Sequence, residues 1–285
     1  MRMKSNEEKR IYRRLMRHGL SCILSFLLSL DLFVLFFVLS LQYGVFQTQT
    51  LYKAIDNSNY YNQLHETITK QANKVLTVSG IPESVLENVF TLDQISSDAR
   101  ESIDNGLAGT EQTLDLTEMR QTFRDNILSY AKENHISKVD EDSVNDLIDN
   151  ILVEYEKVVS FPMASYFTKY QDIYQKYYQI LLPLTLIVAL IIGIVLIRMQ
   201  HWKHRALRYL AYAISGATIL LSLVPIYGYA TRFYDKIQLS PSYLRDVIAQ
   251  FIQCSLNTFL GVIFGGILLY VITIVTISIM KRRLK

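Results

Sequence analysis

The sequence predicts an all-α membrane protein: a four-span transmembrane helical bundle with a helical extracytoplasmic domain inserted between spans 1 and 2. Three observations carry that prediction. Four long apolar runs almost free of charge cover Leu20 to Leu41, Ile180 to Ile197, Tyr209 to Thr231 and Val247 to Met280. A helix needs about 20 mostly apolar residues to cross a bilayer, and each run is near or above that length. Basic residues gather in the short segments on one side of these runs. Between the first two runs the apolar residues recur at helical spacing, and no alternating strand pattern competes.

The charge layout predicts the topology. The segments 1–19, 198–208 and 281–285 carry fifteen Lys and Arg against two acids, Glu7 and Glu8. The stretch 44–178 carries 21 Asp and Glu against 11 Lys and Arg, a net of −10. Short basic segments resist translocation, so both termini and the 199–207 hairpin are expected on the cytoplasmic side. The divisions follow: a basic N-terminus 1–19, span 1 at 20–43, the acidic outer domain 44–178, span 2 at 179–198, the hairpin 199–207, span 3 at 208–231, an outer loop with a short helix 232–253, span 4 at 254–280 and a basic tail 281–285. The first run is too long for a signal-peptide core, and Gln42, Tyr43, Gly44 and Val45 after it offer no small-x-small cleavage site, so it is expected to stay as an anchor. The basic segments are expected to lie against anionic headgroups.

Cys22 and Cys254 fall near opposite ends of their spans, about 30 Å apart. A disulfide needs Cα atoms within about 7 Å, so no bridge between them is expected. The outer domain has neither cysteine nor an Asn-x-Ser/Thr acceptor, which favours a bacterial plasma membrane.

Within the outer domain the helices read in order. Ser58 is a cap for a helix bearing Leu64, Ile68, Ala72, Val75 and Leu76, closed by Gly80. Pro82 suits the first position of a short helix with Val85, Leu86, Val89 and Phe90. Thr91 and Gln94 form a capping box before Ile95, Ala99 and Ile103, with Gly106 as the stop. Asp115 and Glu118 start a helix carrying Met119, Phe123, Ile127 and Tyr130, and Asp140 to Asp142 start one carrying Val144 through Val158. Pro162 opens a last helix that runs on into span 2. In the 232–246 loop, Ser240 and Pro241 start a helix with Tyr243, Val247, Ile248 and Phe251 that turns into span 4, and Pro225 with Gly228 is expected to bend the end of span 3.

Three features could carry function. Asp31 sits near the centre of span 1, where a carboxyl must find a partner or stay protonated. Ser215 and Thr218 on span 3, Tyr212 beside them, and Tyr270 on span 4 fall near its depth. Gly261, Gly265 and Gly266 form a close-packing motif on span 4, with Ser215 and Gly216 as a matching small surface; packing within the bundle is the plain reading and self-association the sharper one. Tyr166, Tyr170, Tyr174 and Tyr178 recur every four residues and make a stripe that either packs on the outer helices or forms a partner-binding face. His65 begins HETIT, which lacks the second histidine of a zincin, and the acidic run 139–146 lacks the glycine and ligand order of a calcium loop. His201 and His204 supply only two ligands, so no metal site and no cofactor are expected.

These observations point to an integral plasma-membrane protein acting as a non-enzymatic envelope accessory, sensor or scaffold whose outer domain binds a membrane or envelope partner. Nothing resembles a nucleic-acid site. One alternative is a lipid- or lipoprotein-modifying enzyme. In outline the chain is similar to the four-span lipoprotein transacylases of Gram-positive bacteria, which also place an outer domain between spans 1 and 2, although no local motif matches. On that reading His65 and His135 are the available outer imidazoles. The other alternative is a small ion- or proton-coupled channel or transporter centred on Asp31.

Overall fold

The computed structural model describes residues 2–110, 114–136, 140–200 and 203–282. Among them the chain is all-helical, without a strand. The elements are α1 (Arg2–Ser40) with a π-helical turn after it (Leu41–Val45), α2 (Thr48–Asn57), α3 (Tyr60–Val78), α4 (Leu92–Ala108), α5 (Thr117–Glu133), α6 (Glu141–Val159), α7 (Met163–Met199), α8 (Lys203–Thr231) and α9 (Ser242–Arg282). Four helical stretches, in α1, α7, α8 and α9, are long and apolar enough to cross a membrane, as a multi-pass membrane protein requires. The chain divides into two compact units. One comprises Met1–Ala54, Tyr174–Gln238 and Ile248–Lys285; the other comprises Ile55–Ile173 and Leu239–Val247.

The first unit is organised on a seam between α1 and α8. Ser21, Ser25 and Ser29 lie one helical turn apart on α1 and are all buried. Ser25 Oγ donates to the Tyr209 carbonyl at 2.7 Å, and Gly216 of α8 leaves only the room that Ser29 fills. Small residues let the two backbones approach, which is how helices gain contact where lipid removes the hydrophobic drive. Phe36 packs with Ala217, Leu221, Phe259 and Ile263. Towards α7, Tyr174 OH donates to the Val38 carbonyl at 2.6 Å and Gln200 Nε2 donates to Ser21 Oγ at 2.7 Å. Neither cysteine is in a disulfide.

α8 runs through Pro225 and Gly228 to Thr231, and Gly228 is where Leu256 comes close. One expectation about this unit is corrected. α9 is one helix of 41 residues from Ser242, so Tyr243, Val247, Ile248 and Phe251 belong to the same helix as span 4 rather than to a short helix before it. No proline interrupts Ser242 to Arg282, so nothing in the backbone forces a break.

The second unit is a water-type core. α3 buries Tyr60, Leu64, Ile68, Ala72 and Leu76, α4 buries Ile95, Ala99 and Ile103, α5 buries Met119, Phe123, Ile127 and Ala131, and α6 buries Ile148, Ile151, Leu152 and Tyr155. Each large side chain here contributes about 1.5–3 kcal/mol on removal from water. α3 lies against α4 and α6, and α5 against α6. Gly80 (φ +72°) ends α3 with both Schellman bonds, Ile81 N–H to Leu76 and Gly80 N–H to Thr77.

The boundaries inside this unit differ from expectation at three points. Ser58 does not cap α3; its hydroxyl donates back to the Ile55 carbonyl at 2.8 Å, and Asn59 precedes the helix. Pro82 stands just outside a 3-10 turn, Glu83–Leu86, rather than inside a helix, although Val85, Leu86, Val89 and Phe90 are buried as expected. Thr91 Oγ1 does cap α4 through the Gln94 N–H, but Gly106 does not stop it. α4 continues to Ala108 and Gly109 takes the left-handed residue, while Gly106 lies so close to Ala164 that an added Cβ would sit 2.7 Å from the alanine methyl. Asp140 precedes α6 as expected, and its carboxylate accepts from the Ser143 hydroxyl at 2.6 Å.

Candidate functional sites

The intramembrane polar residues do not form one site. Ser215, Thr218 and Tyr270 line a single cleft of about 220 Å³ with Ser222, Ile263 and Ile267. The three aliphatic hydroxyls are used within α8: Ser215 donates to the Tyr212 carbonyl, Thr218 to Ile214 and Ser222 to Ile219. The cleft therefore presents apolar walls. Asp31 is not part of its lining. Asp31 shares a face of α1 with Leu28, three residues before it, and Leu28 packs with Leu196 and Ala213. One carboxylate oxygen, Asp31 Oδ2, is shielded from solvent and has no hydrogen-bond partner among the described residues.

Sequence reasoning passed over Thr185 on α7. The ties Tyr174 to Val38 and Gln200 to Ser21 run antiparallel and bracket both Asp31 and Thr185. Thr185 is buried, and its hydroxyl donates to the carbonyls of Leu181 and Leu182 at 3.0 Å. The signal was present, since Thr185 is the one hydroxyl-bearing residue in the run 180–197. Pro183 two residues earlier has no N–H, so the Gln179 carbonyl loses its usual donor.

The glycines of α9 separate. Gly266 lies against Thr218 and Phe36, whereas a Cβ added at Gly261 or Gly265 would meet nothing. Gly216, expected to match them, faces Ser29 of α1. The tyrosine stripe also divides. Tyr174 is hydrogen-bonded to Val38, stacks on Phe46 with centroids 4.2 Å apart and has Tyr178 at 6.0 Å. Tyr166 and Tyr170, in the other unit, are 63% and 61% exposed.

In the second unit the sequence reading missed a buried polar tie. Asp98 is buried on the apolar face of α4, where it accepts from Tyr155 OH at 2.5 Å and from Gln94 Nε2 at 2.8 Å. Burial pushes the Asp98 carboxyl above the usual aspartate value; the two hydrogen bonds oppose that push and Glu101 adds to it. Burial, and then the carboxylate itself, push the Tyr155 phenol up strongly. The spacing of Asp98 from Ile95 placed it on the core side, so the sequence did contain the clue.

His65 is half-buried on α3, and His135 follows α5 with a left-handed backbone (φ +55°). His201 lies outside the described residues. Among the described residues no three His, Cys, Asp or Glu side chains converge as metal ligands. Glu141 of the acidic run is paired with Arg124 at 2.8 Å. No family model matches this chain, and no curated protein or solved structure is significantly similar to it.

Proposed function

We propose that this protein is a bacterial plasma-membrane protein with both termini cytoplasmic, and that its acidic region 44–178 lies outside as the binding head of a non-enzymatic envelope accessory, sensor or scaffold. The observation that carries the binding role is the exposure of Tyr166 and Tyr170. Tyr60, Phe90, Phe123, Tyr155 and Phe161 of the same unit are all buried, so this pair stands apart. Tyrosine is enriched in protein interfaces because it brings a rigid apolar ring and a polar tip. The orientation is supported by fifteen basic residues against two acids in the short segments. Those segments meet anionic headgroups, and the open Gly261–Gly265 surface of α9 is the face for self-association.

The test is gentle purification from the native host with mass spectrometry of co-purifying chains. A stoichiometric envelope partner that is lost in Tyr166→Ser/Tyr170→Ser, with helix content unchanged, is the expected result. A chain that purifies alone, or a partner indifferent to both substitutions, overturns the reading. The orphan Oδ2 of Asp31 favours a second reading, proton- or cation-coupled transport. That reading predicts that Asp31→Asn abolishes ion flux into liposomes, and unchanged flux ends it.

A further inference from the structure

Beyond partner binding, the second unit contains a groove between α3 and α6. Its volume is about 330 Å³. The floor is made by Ile68, Ala72, Ile151 and Tyr155, each almost fully buried. The rim carries Lys74 and Glu154. This volume lies at the small-molecule end of ligand pockets. A folded protein partner covers on the order of 800 Å² on each side, far more than a slot of this width presents.

Charge and an exposed apolar strip narrow the ligand. Glu154 is held by Lys157, with Nζ 2.7 Å from its carboxylate. Lys74 makes no ion pair among the described residues, so the rim offers one uncompensated positive charge within a net −10 stretch. Val75 lines the groove, and Val78, one turn beyond Lys74 on the same face, is 90% exposed. An apolar strip thus runs from the buried floor out past a cation.

We propose that this groove binds a single-chain anionic amphiphile, with the acyl chain along Val75 and Val78 and the negative head at Lys74. A free fatty acid and a lysophospholipid share that chemistry. The proposal needs neither the partner nor a particular side of the membrane, so it stands or falls separately from the function proposed above.

The experiment uses the full chain in phosphatidylcholine nanodiscs. Photoactivatable diazirine palmitate, diazirine lysophosphatidylglycerol and a neutral diazirine monoacylglycerol are crosslinked in parallel, and labelled peptides are mapped by mass spectrometry. Labelling of 71–78 and 151–155 by either anionic probe is expected, and which of the two labels identifies the source. Lys74→Glu and Val75→Trp are each expected to lower that labelling roughly tenfold. Both positions lie on the rim, and circular dichroism checks that the helices remain. Labelling confined to the apolar stretches of α1, α7, α8 and α9, equal labelling by the neutral probe, or labelling unchanged in both variants overturns the proposal.

Discussion

The two units bury their residues for different reasons. The second unit hides large side chains such as Tyr60, Phe123 and Tyr155. In the first unit the tightest seam is built from Ser21, Ser25, Ser29, Ala213, Gly216 and Ala217, while large apolar side chains such as Leu190 and Phe264 remain 65% and 68% exposed. In water, apolar area drives burial. Among lipid tails that drive vanishes, and close approach and interhelical hydrogen bonds take over. The chain thus obeys two sets of packing rules.

The largest expected effect tests that contrast directly. Phe123→Ala removes a fully buried ring that touches Phe90, and should destabilise the second unit by about 3–5 kcal/mol. Leu190→Ala, an equally apolar truncation on an exposed face of α7, should move the melting temperature in mild detergent far less. Equal losses would mean that Leu190 is covered in the native assembly and would break the contrast. Next in size is overpacking of the seam. Gly216→Leu must displace Ser29 and should cost about 1–3 kcal/mol, read as a lower melting temperature. Gly193→Leu, where an added Cβ meets nothing, should be neutral or stabilising because leucine favours helix.

A smaller effect sharpens the account of the water-type core. The Asp98 carboxyl is raised by burial, so the folded state holds its proton more tightly than the unfolded chain does. Its contribution is fully present below the ordinary aspartate value of about 3.9 and is lost as pH rises through the raised folded value. Asp98→Asn keeps an acceptor for Tyr155 and should flatten the pH dependence of stability in that window. A denaturation series across that window decides it, and an unchanged slope would show that Asp98 does not titrate there. Tyr155→Phe leaves the buried carboxyl one donor short and should cost about 1–3 kcal/mol at any pH in this range.

How much was legible follows from the same contrast. The positions of the apolar helices and the face of each helix in the second unit could be read, because period 3.6 and apolar run length are local properties. Leu64, Ile68, Ala72 and Leu76 are buried as their spacing said. Helix ends were less legible. Gly106 carried the sequence signature of a stop, yet its missing Cβ serves the approach of Ala164, a residue far along the chain. Ser58 could cap one helix or close another, and tertiary packing chose the second. α2 was not delimited in the sequence at all. The polar residues were least legible. Depth along a span could be counted, but the angle around α1 that turns Asp31 away from the cleft of Ser215, Thr218 and Tyr270 depends on the Ser25–Tyr209 and Ser29–Gly216 contacts.

The smallest expected effect tests whether surface charge contributes to either regime. Arg124 of α5 reaches Glu141 at the start of α6 at 2.8 Å and Asn145 at 3.3 Å, and both charged side chains remain substantially exposed. Such a pair gains little Coulomb energy in high dielectric and loses side-chain entropy, so its net worth is about 0–1 kcal/mol. The acid also lies in the first turn of α6, where the helix dipole favours it without any partner. A double-mutant cycle on Arg124→Ala and Glu141→Ala separates the two contributions. Glu141→Ala alone should cost more than the pair's coupling, because it removes the dipole interaction as well. The coupling should shrink further in 0.5 M salt, since the screening length there is well under 10 Å. A coupling that exceeds 1 kcal/mol and survives salt would place this pair out of water, and the second unit would then be covered at the α5–α6 edge by something beyond this chain.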